Sequence, residues 1–215
     1  MIRLIGIDVD GTLLDSEGRL PDANREAIVD AVAAGIHVAL VTGRSYPFAR
    51  PVADPLPASV TLIVSNGAVE RSTDGTTLAR RLLDRVVAAA VLEATRPYRD
   101  AAALRALADT LRRDAVDFAV SLTEYVHRDF SLIDVTAPTA TKGRALAWRA
   151  EQLGLTRDQV MAVGDNFNDL DMLEYAGVAV VMANAVEGLT ERGWPMTGHQ
   201  NEAGLAEAIR QFALR

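Results

Sequence analysis

Residues 5–18 read IGIDVDGTLLDSEG. An apolar run ends in two aspartates, Asp8 and Asp10, one residue apart, and Asp15 follows closely. Carboxylates that near repel one another and lose hydration when buried. A partner elsewhere in the chain must offset that cost.

The run itself has the character of a strand. RLIGIDV (3–9) has four counterparts: IHVALVT (36–42), VTLIVSN (60–66), QVMAVGD (159–165) and VAVVM (178–182). All five are short, rich in Val and Ile, and apolar without alternation, as strands buried between two helical layers are. Helical spacing fills the gaps at 21–35, 141–154, 168–177 and 201–214, the first three closing on Gly35, Gly154 and Gly177. Strand and helix in alternation predict an α/β fold, a Rossmann-like parallel sheet in three α/β/α layers.

The middle of the chain changes period. RSTDGTTLARRLL (71–83) carries a Thr-Asp-Gly turn between two extended pieces. Helical patterns follow, one up to Pro97 and one over 99–115, and then two alternating stretches at 117–126 and 128–138. A catalytic core of 1–70 and 138–215, with a small α+β module inserted at 71–137, is the expected organisation.

Composition narrows the chemistry. The 215 residues include no cysteine and only three scattered histidines, so thiolate and His-rich metal sites are excluded and any metal must be held by oxygen. A formal charge of −7 opposes a broad nucleic-acid footprint. No apolar run approaches a membrane span, and the N-terminal run is too short for a signal peptide. The expectation is a cytoplasmic protein, monomer or homodimer, that engages neither nucleic acid nor membrane.

Open parallel sheets bind ligands at the carboxyl ends of their strands. Four of the five runs end in small polar or acidic residues beside glycine: Asp8-Val9-Asp10-Gly11-Thr12, Thr42-Gly43-Arg44, Ser65-Asn66-Gly67 and Gly164-Asp165-Asn166, the last followed by Asn168 and Asp169. Lys142 opens the helix before the fourth of these ends. Several carboxylates at one edge require a cation, and oxygen ligands point to Mg²⁺. Thr42, Gly43, Lys142 and Asn168 then suit an anion such as phosphate. A carboxylate nucleophile, a metal and phosphate donors together describe phosphoryl transfer.

DVDGT at 8–12 resembles the first motif, D-x-D-G-T, of the haloacid dehalogenase-like phosphatases. Thr42 in LVTGR is similar to the second motif, Lys142 in ATKGRAL to the third, and GDNFNDLDML to the fourth. SNGA and MANA resemble the Cof-type branch, and the small archaeal-type phosphoglycolate phosphatases have a comparable design. The resemblance implies Asp8 as nucleophile and metal ligand, and Asp10 as acid and base with its main-chain carbonyl on the metal. It further implies Asp165 as a direct Mg²⁺ ligand, Asp169 as a ligand or a group just behind the ligands, Thr42, Gly43 and Lys142 on the phosphoryl group, and Asn168 on that group or on Lys142. The two-residue strand period is expected to put Asp8 and Asp10 on one side. The implied activity is hydrolysis of a small phosphate monoester, phosphoglycolate or a sugar phosphate, through an aspartyl-phosphate. In the resembled family such inserts are caps, so the inserted module is expected to select the leaving group.

Asp15 and Asp171 read as structural, and Met161, Met172 and Met182 as core. Arg44, Asn66, Gly67 and Asn184 stand between substrate contact and support. His127 and Arg128 read as exposed loop. Two alternatives remain at this level: a phosphotransferase or phosphomutase with the same first step, and a receiver-like phospho-switch.

Overall fold

Each of the five apolar runs forms a parallel strand in the computed structural model, which describes residues 1–95, 107, 111, 113, 118–125 and 130–214. They are β1 (Leu4–Ile7), β2 (His37–Val41), β3 (Thr61–Val64), β8 (Val160–Gly164) and β9 (Val178–Val181). The sheet runs β5-β4-β3-β2-β1-β8-β9, with β4 (Val69–Ser72) and β5 (Thr77–Arg80) antiparallel at one edge. Central β1 pairs Leu4–Ile7 with His37–Leu40 on one side and with Val160–Val163 on the other. The connections diverge from there, so the β1/β8 gap is the topological switch point at which such sheets open a crevice.

Alternate residues of these strands feed two cores. Ile5, Ile7, Leu40, Leu62 and Val163 pack with α1 (Asp22–Ala33), α2 (Tyr46–Ala53) and α7 (Gly204–Ala208) on one face. Leu4, Val41, Ile63 and Ala162 pack with α4 (Lys142–Gln152) and α5 (Leu170–Tyr175) on the other. Burial on both faces is why the runs lack alternation, and each fully buried Leu or Ile contributes about 1.5–3 kcal/mol. Met161 and Met182 lie in the first core and Met172 in the second, as expected. Gly6 sets the spacing of the second layer. A Cβ there would stand 2.7 Å from a Leu146 methyl, so the absent side chain lets α4 press against β1.

Contacts divide the chain into two units, Met1–Arg80 with Thr141–Arg215, and Arg81–Ala140. The expected boundary at residue 70 therefore moves. The hairpin placed in the insert extends the main sheet, because Val69–Ser72 pairs antiparallel with β3. The second unit contains α3 (Arg85–Thr95) and a two-stranded antiparallel sheet, β6 (Ala119–Tyr125) with β7 (Phe130–Thr136). His127, Arg128 and most of the 99–115 helical pattern lie outside the described residues. Among the described residues, no helix is long and apolar enough to cross a membrane.

Candidate active site

β1 ends at Ile7, one residue before Asp8, and the chain then turns at Gly11, whose φ is +93°. A Cβ at Gly11 would overlap the Asp165 carboxylate, so only glycine permits this turn so close to β8. The strand period therefore does not relate Asp8 to Asp10. Asp8 is buried, whereas the Asp10 side chain is 41% exposed and forms a bidentate pair with Arg44. Thr12 donates its hydroxyl proton to Asp165 Oδ1 at 3.2 Å, which ties the first loop to the end of β8.

Lys142 is the hub. It is the first residue of α4, capped by Thr141, whose hydroxyl accepts from Arg144 N at 3.2 Å. A lysine is unfavourable at a helix N-terminus. Here its Nζ is 2.5 Å from Asp8 Oδ1 and 2.5 Å from Asp169 Oδ1, and all three groups are buried. The other Asp169 oxygen accepts from the main-chain N–H groups of Asp165 and Asn166, each at 3.1 Å. Asp169 thus caps its own turn and anchors Lys142 at once.

Oxygens of Asp8, Asp165 and Asp169 all lie within 4.8 Å of one another. Burial and the neighbouring Asp169 push the Asp8 carboxyl well above the usual range, although Lys142 opposes this. The same two causes push Asp165 up to about 7, against the pull of Lys142 and Thr12. Burial works against the Lys142 charge, but Asp169 and Asp8 outweigh it and hold its pKa above the ordinary lysine value. One ammonium cannot neutralise three carboxylates. The remaining negative charge and the all-oxygen donor set fit a hard divalent cation such as Mg²⁺. Of the four expected metal residues, the carboxylates of Asp8, Asp165 and Asp169 come together, while Asp10, expected to reach the metal through its main-chain carbonyl, turns its carboxylate to Arg44.

The anion side is built from neighbouring strand ends. Thr42 is buried, and its hydroxyl accepts from Arg44 N at 3.1 Å, which leaves its proton for a ligand. Asn66 N donates to Thr42 O at 3.0 Å, and the Asn66 side chain lies against Gly43. Ser65 and Asn66 hold left-handed backbone, with φ of 51° and 52°. Non-glycine residues in that region store strain, which concentrates at functional sites. Asn168 Oδ1, an acceptor, is buried with no hydrogen-bond partner among the described residues.

Two supports stand behind these loops: Asn184, which the sequence left between substrate contact and support, and Asn24, which it did not single out. Asn184 Nδ2 donates to Gly11 O at 2.8 Å while its Oδ1 accepts from Gln200 N at 2.9 Å, so it braces the first loop. Buried Asn24 donates to Leu13 O and accepts from Ala206 N. Its place on the buried face of the helix, in line with Ala27, Ile28 and Ala31, was the available signal. Asp15 closes a surface loop as expected, held below the usual carboxylate range by hydrogen bonds from Arg19.

The family profile of the haloacid dehalogenase-like hydrolases matches residues 5–114 and 98–209. A phosphoglycolate phosphatase from Methanothermobacter thermautotrophicus is 32% identical over 98% of this chain and 99% of its own length. The 5-amino-6-(5-phospho-D-ribitylamino)uracil phosphatase YcsE of Bacillus subtilis is 30% identical over 99% of this chain and 96% of its own. A haloacid dehalogenase-like hydrolase from Bacteroides thetaiotaomicron has the same fold, with a TM-score of 0.85 at 23% identity over 98% of this chain and 99% of its own. The chain belongs to the haloacid dehalogenase-like hydrolase family and stands among its phosphatases.

Proposed function

We propose that this enzyme is a Mg²⁺-dependent phosphatase that hydrolyses a small phosphate monoester through an aspartyl-phosphate on Asp8. The observation that carries the reading is the buried Lys142, 2.5 Å from both Asp8 and Asp169. Its fixed ammonium orients the Asp8 carboxylate and offers positive charge where transferring phosphoryl oxygens would gather it.

Asp8, Asp165 and Asp169, with the Asp10 main-chain carbonyl, would hold Mg²⁺, which when bound supplies charge neutralisation at the phosphoryl oxygens. The free Thr42 proton, the backbone at Gly43, the Lys142 ammonium and Asn168 bind the phosphoryl group. Asp8 attacks phosphorus, and the ester P–O bond breaks. Asp10 gives its proton to the departing oxygen. Water then attacks the acyl phosphate and loses a proton to Asp10, which frees phosphate and restores Asp8.

The inserted module is the source of substrate selectivity in this reading, because a site centred on phosphate cannot distinguish one ester from another. Phosphoglycolate is the first candidate substrate, supported by the phosphoglycolate phosphatase relative, and sugar phosphates are the second. The same reading makes it a cytoplasmic monomer or homodimer whose partner is a small phosphorylated metabolite.

The test is Mg²⁺-dependent hydrolysis of p-nitrophenyl phosphate, followed by a panel of phosphate esters. Asp8→Asn should abolish turnover and leave the melting transition in place, and turnover retained in that variant would overturn the mechanism. Transfer of phosphate to a second sugar in place of water would favour a phosphotransferase.

A further inference from the structure

The two aspartates of the DVD run have separate cations. Asp8 pairs with Lys142, and Asp10 pairs with Arg44. The second pair is a planar fork: Arg44 Nε donates to Asp10 Oδ2 at 2.8 Å and Nη2 donates to Oδ1 at 2.6 Å. Both carboxylate oxygens are engaged, so the carboxylate has a fixed plane as well as a fixed place. Arg44 is itself held along its length. Its main-chain N–H donates to Thr42 Oγ1, its carbonyl accepts from Ser65 N at 2.9 Å, and Nη1 reaches the Phe48 carbonyl at 3.5 Å. The fork therefore grows from the end of β2, the parallel neighbour of β1, and shares its anchor with the hydroxyl assigned to the phosphoryl group.

We propose that Arg44 is a positioning residue that orients the Asp10 carboxylate to take the proton of the attacking water, beside but outside the buried Asp8, Asp165 and Asp169 cluster. The proposal rests on the aspartyl-phosphate reading. In the step concerned, the water oxygen bonds to phosphorus, the bond from phosphorus to the Asp8 oxygen breaks, and the water proton passes to Asp10. Phosphate leaves, and Asp8 is again a carboxylate. A carboxylate freed from the fork no longer has a fixed direction toward the water, so this hydrolytic step slows.

p-Nitrophenyl phosphate isolates that step, since p-nitrophenolate departs without being protonated. The experiment measures turnover and, after acid quench, the fraction of intact protein carrying one phosphoryl group, with Mg²⁺ present. Arg44→Ala should lower kcat about tenfold or more, within the range of acid–base contributions, and raise the phosphorylated fraction above that of the wild type. Arg44→Lys keeps the charge without the fork and should fall between the two, which guards against a variant that does not fold. Asp10→Asn is the control, and it should accumulate phosphoenzyme as well. If Asp10→Asn accumulates it and Arg44→Ala does not, Arg44 has no part in this step and the proposal is overturned. A higher KM at unchanged kcat in Arg44→Ala would also overturn it, since Arg44 would then bind substrate. If neither variant yields phosphoenzyme, the aspartyl-phosphate reading fails and the proposal falls with it.

Discussion

Asp171 accepts a hydrogen bond from the main-chain N–H of Gly143, 2.9 Å from its Oδ2 and 28 residues earlier in the chain. Gly143 follows Lys142 in the first turn of α4, where N–H groups have no intrahelical partner. A carboxylate at that end also offsets the unfavourable meeting of the Lys142 ammonium with the helix dipole. The structural role expected for Asp171 thus has a functional consequence, because it fixes the turn that carries Lys142.

Asp171→Ala should cost about 1 kcal/mol, the usual size of a lost cap. It should also lower kcat, since the root of Lys142 loosens. Asp171→Asn keeps an acceptor and should lie closer to the wild type. Urea unfolding and steady-state kinetics on the three proteins measure both effects, and unchanged stability in Asp171→Ala would show the bond to be idle.

Asn24 is buried at the contact of α1 with the first loop and α7. Asn24→Ala leaves the Leu13 carbonyl without its partner, while Ala206 N keeps its bond to Ala203 O at 2.9 Å, and a buried unsatisfied polar group costs about 1–3 kcal/mol. The variant should melt several degrees lower, with KM for p-nitrophenyl phosphate unchanged. A melting point equal to that of the wild type would mean that water replaces the amide.

The metal-free enzyme should have an inverted pH response. Asp165 titrates near 7 in the folded protein, above its ordinary 3.8. The folded state then holds a proton that the unfolded state has lost, so stability is present in full below about 4 and declines as pH rises through 7. Asp8 is shifted the same way and adds to the trend. In EDTA, the melting temperature should fall from about pH 5 to about pH 8. Asp165→Asn should flatten the slope, and Mg²⁺ should restore more stability at the higher pH. A melting temperature that rises across this window would contradict the assigned shifts.

The parallel strands were legible because burial on both faces leaves an unbroken apolar run, and the motifs stand where those runs stop. Asp8, Thr42 and Asp165 were legible for the same reason, and Lys142 as an unfavourable charge at a helix start. α2 was not, because YPFARPVA carries two prolines. Pro47 falls in the first turn, where its missing N–H has no intrahelical partner to lose. The β4–β5 hairpin showed its turn but not its sheet, since its half-buried residues fit any edge. Asn24 and Asp171 were obscure because their partners lie up to 182 residues away and local pattern carries no such information. Asp10 was visible as a residue but not as the partner of Arg44, which depends on β2 lying beside β1.

Lys142 offers the sharpest test of what holds the site together. Three buried carboxylates surround a cation that is itself almost wholly buried. Removing one partner of a buried ion pair usually costs about 3–5 kcal/mol, because it strands the other charge. Lys142→Met removes the cation at similar volume, so the loss should be of that size in EDTA near pH 8. The raised Asp8 and Asp165 carboxyls should soften it at lower pH by taking up protons. Mg²⁺ should recover a larger share of stability in Lys142→Met than in the wild type, because the ion becomes the only cation among those carboxylates, while turnover stays absent for want of the ammonium. Urea titrations of both proteins with and without Mg²⁺ separate these effects. If Lys142→Met matches the wild type in EDTA, the ammonium does not hold the carboxylates together and its contribution is confined to the phosphoryl group.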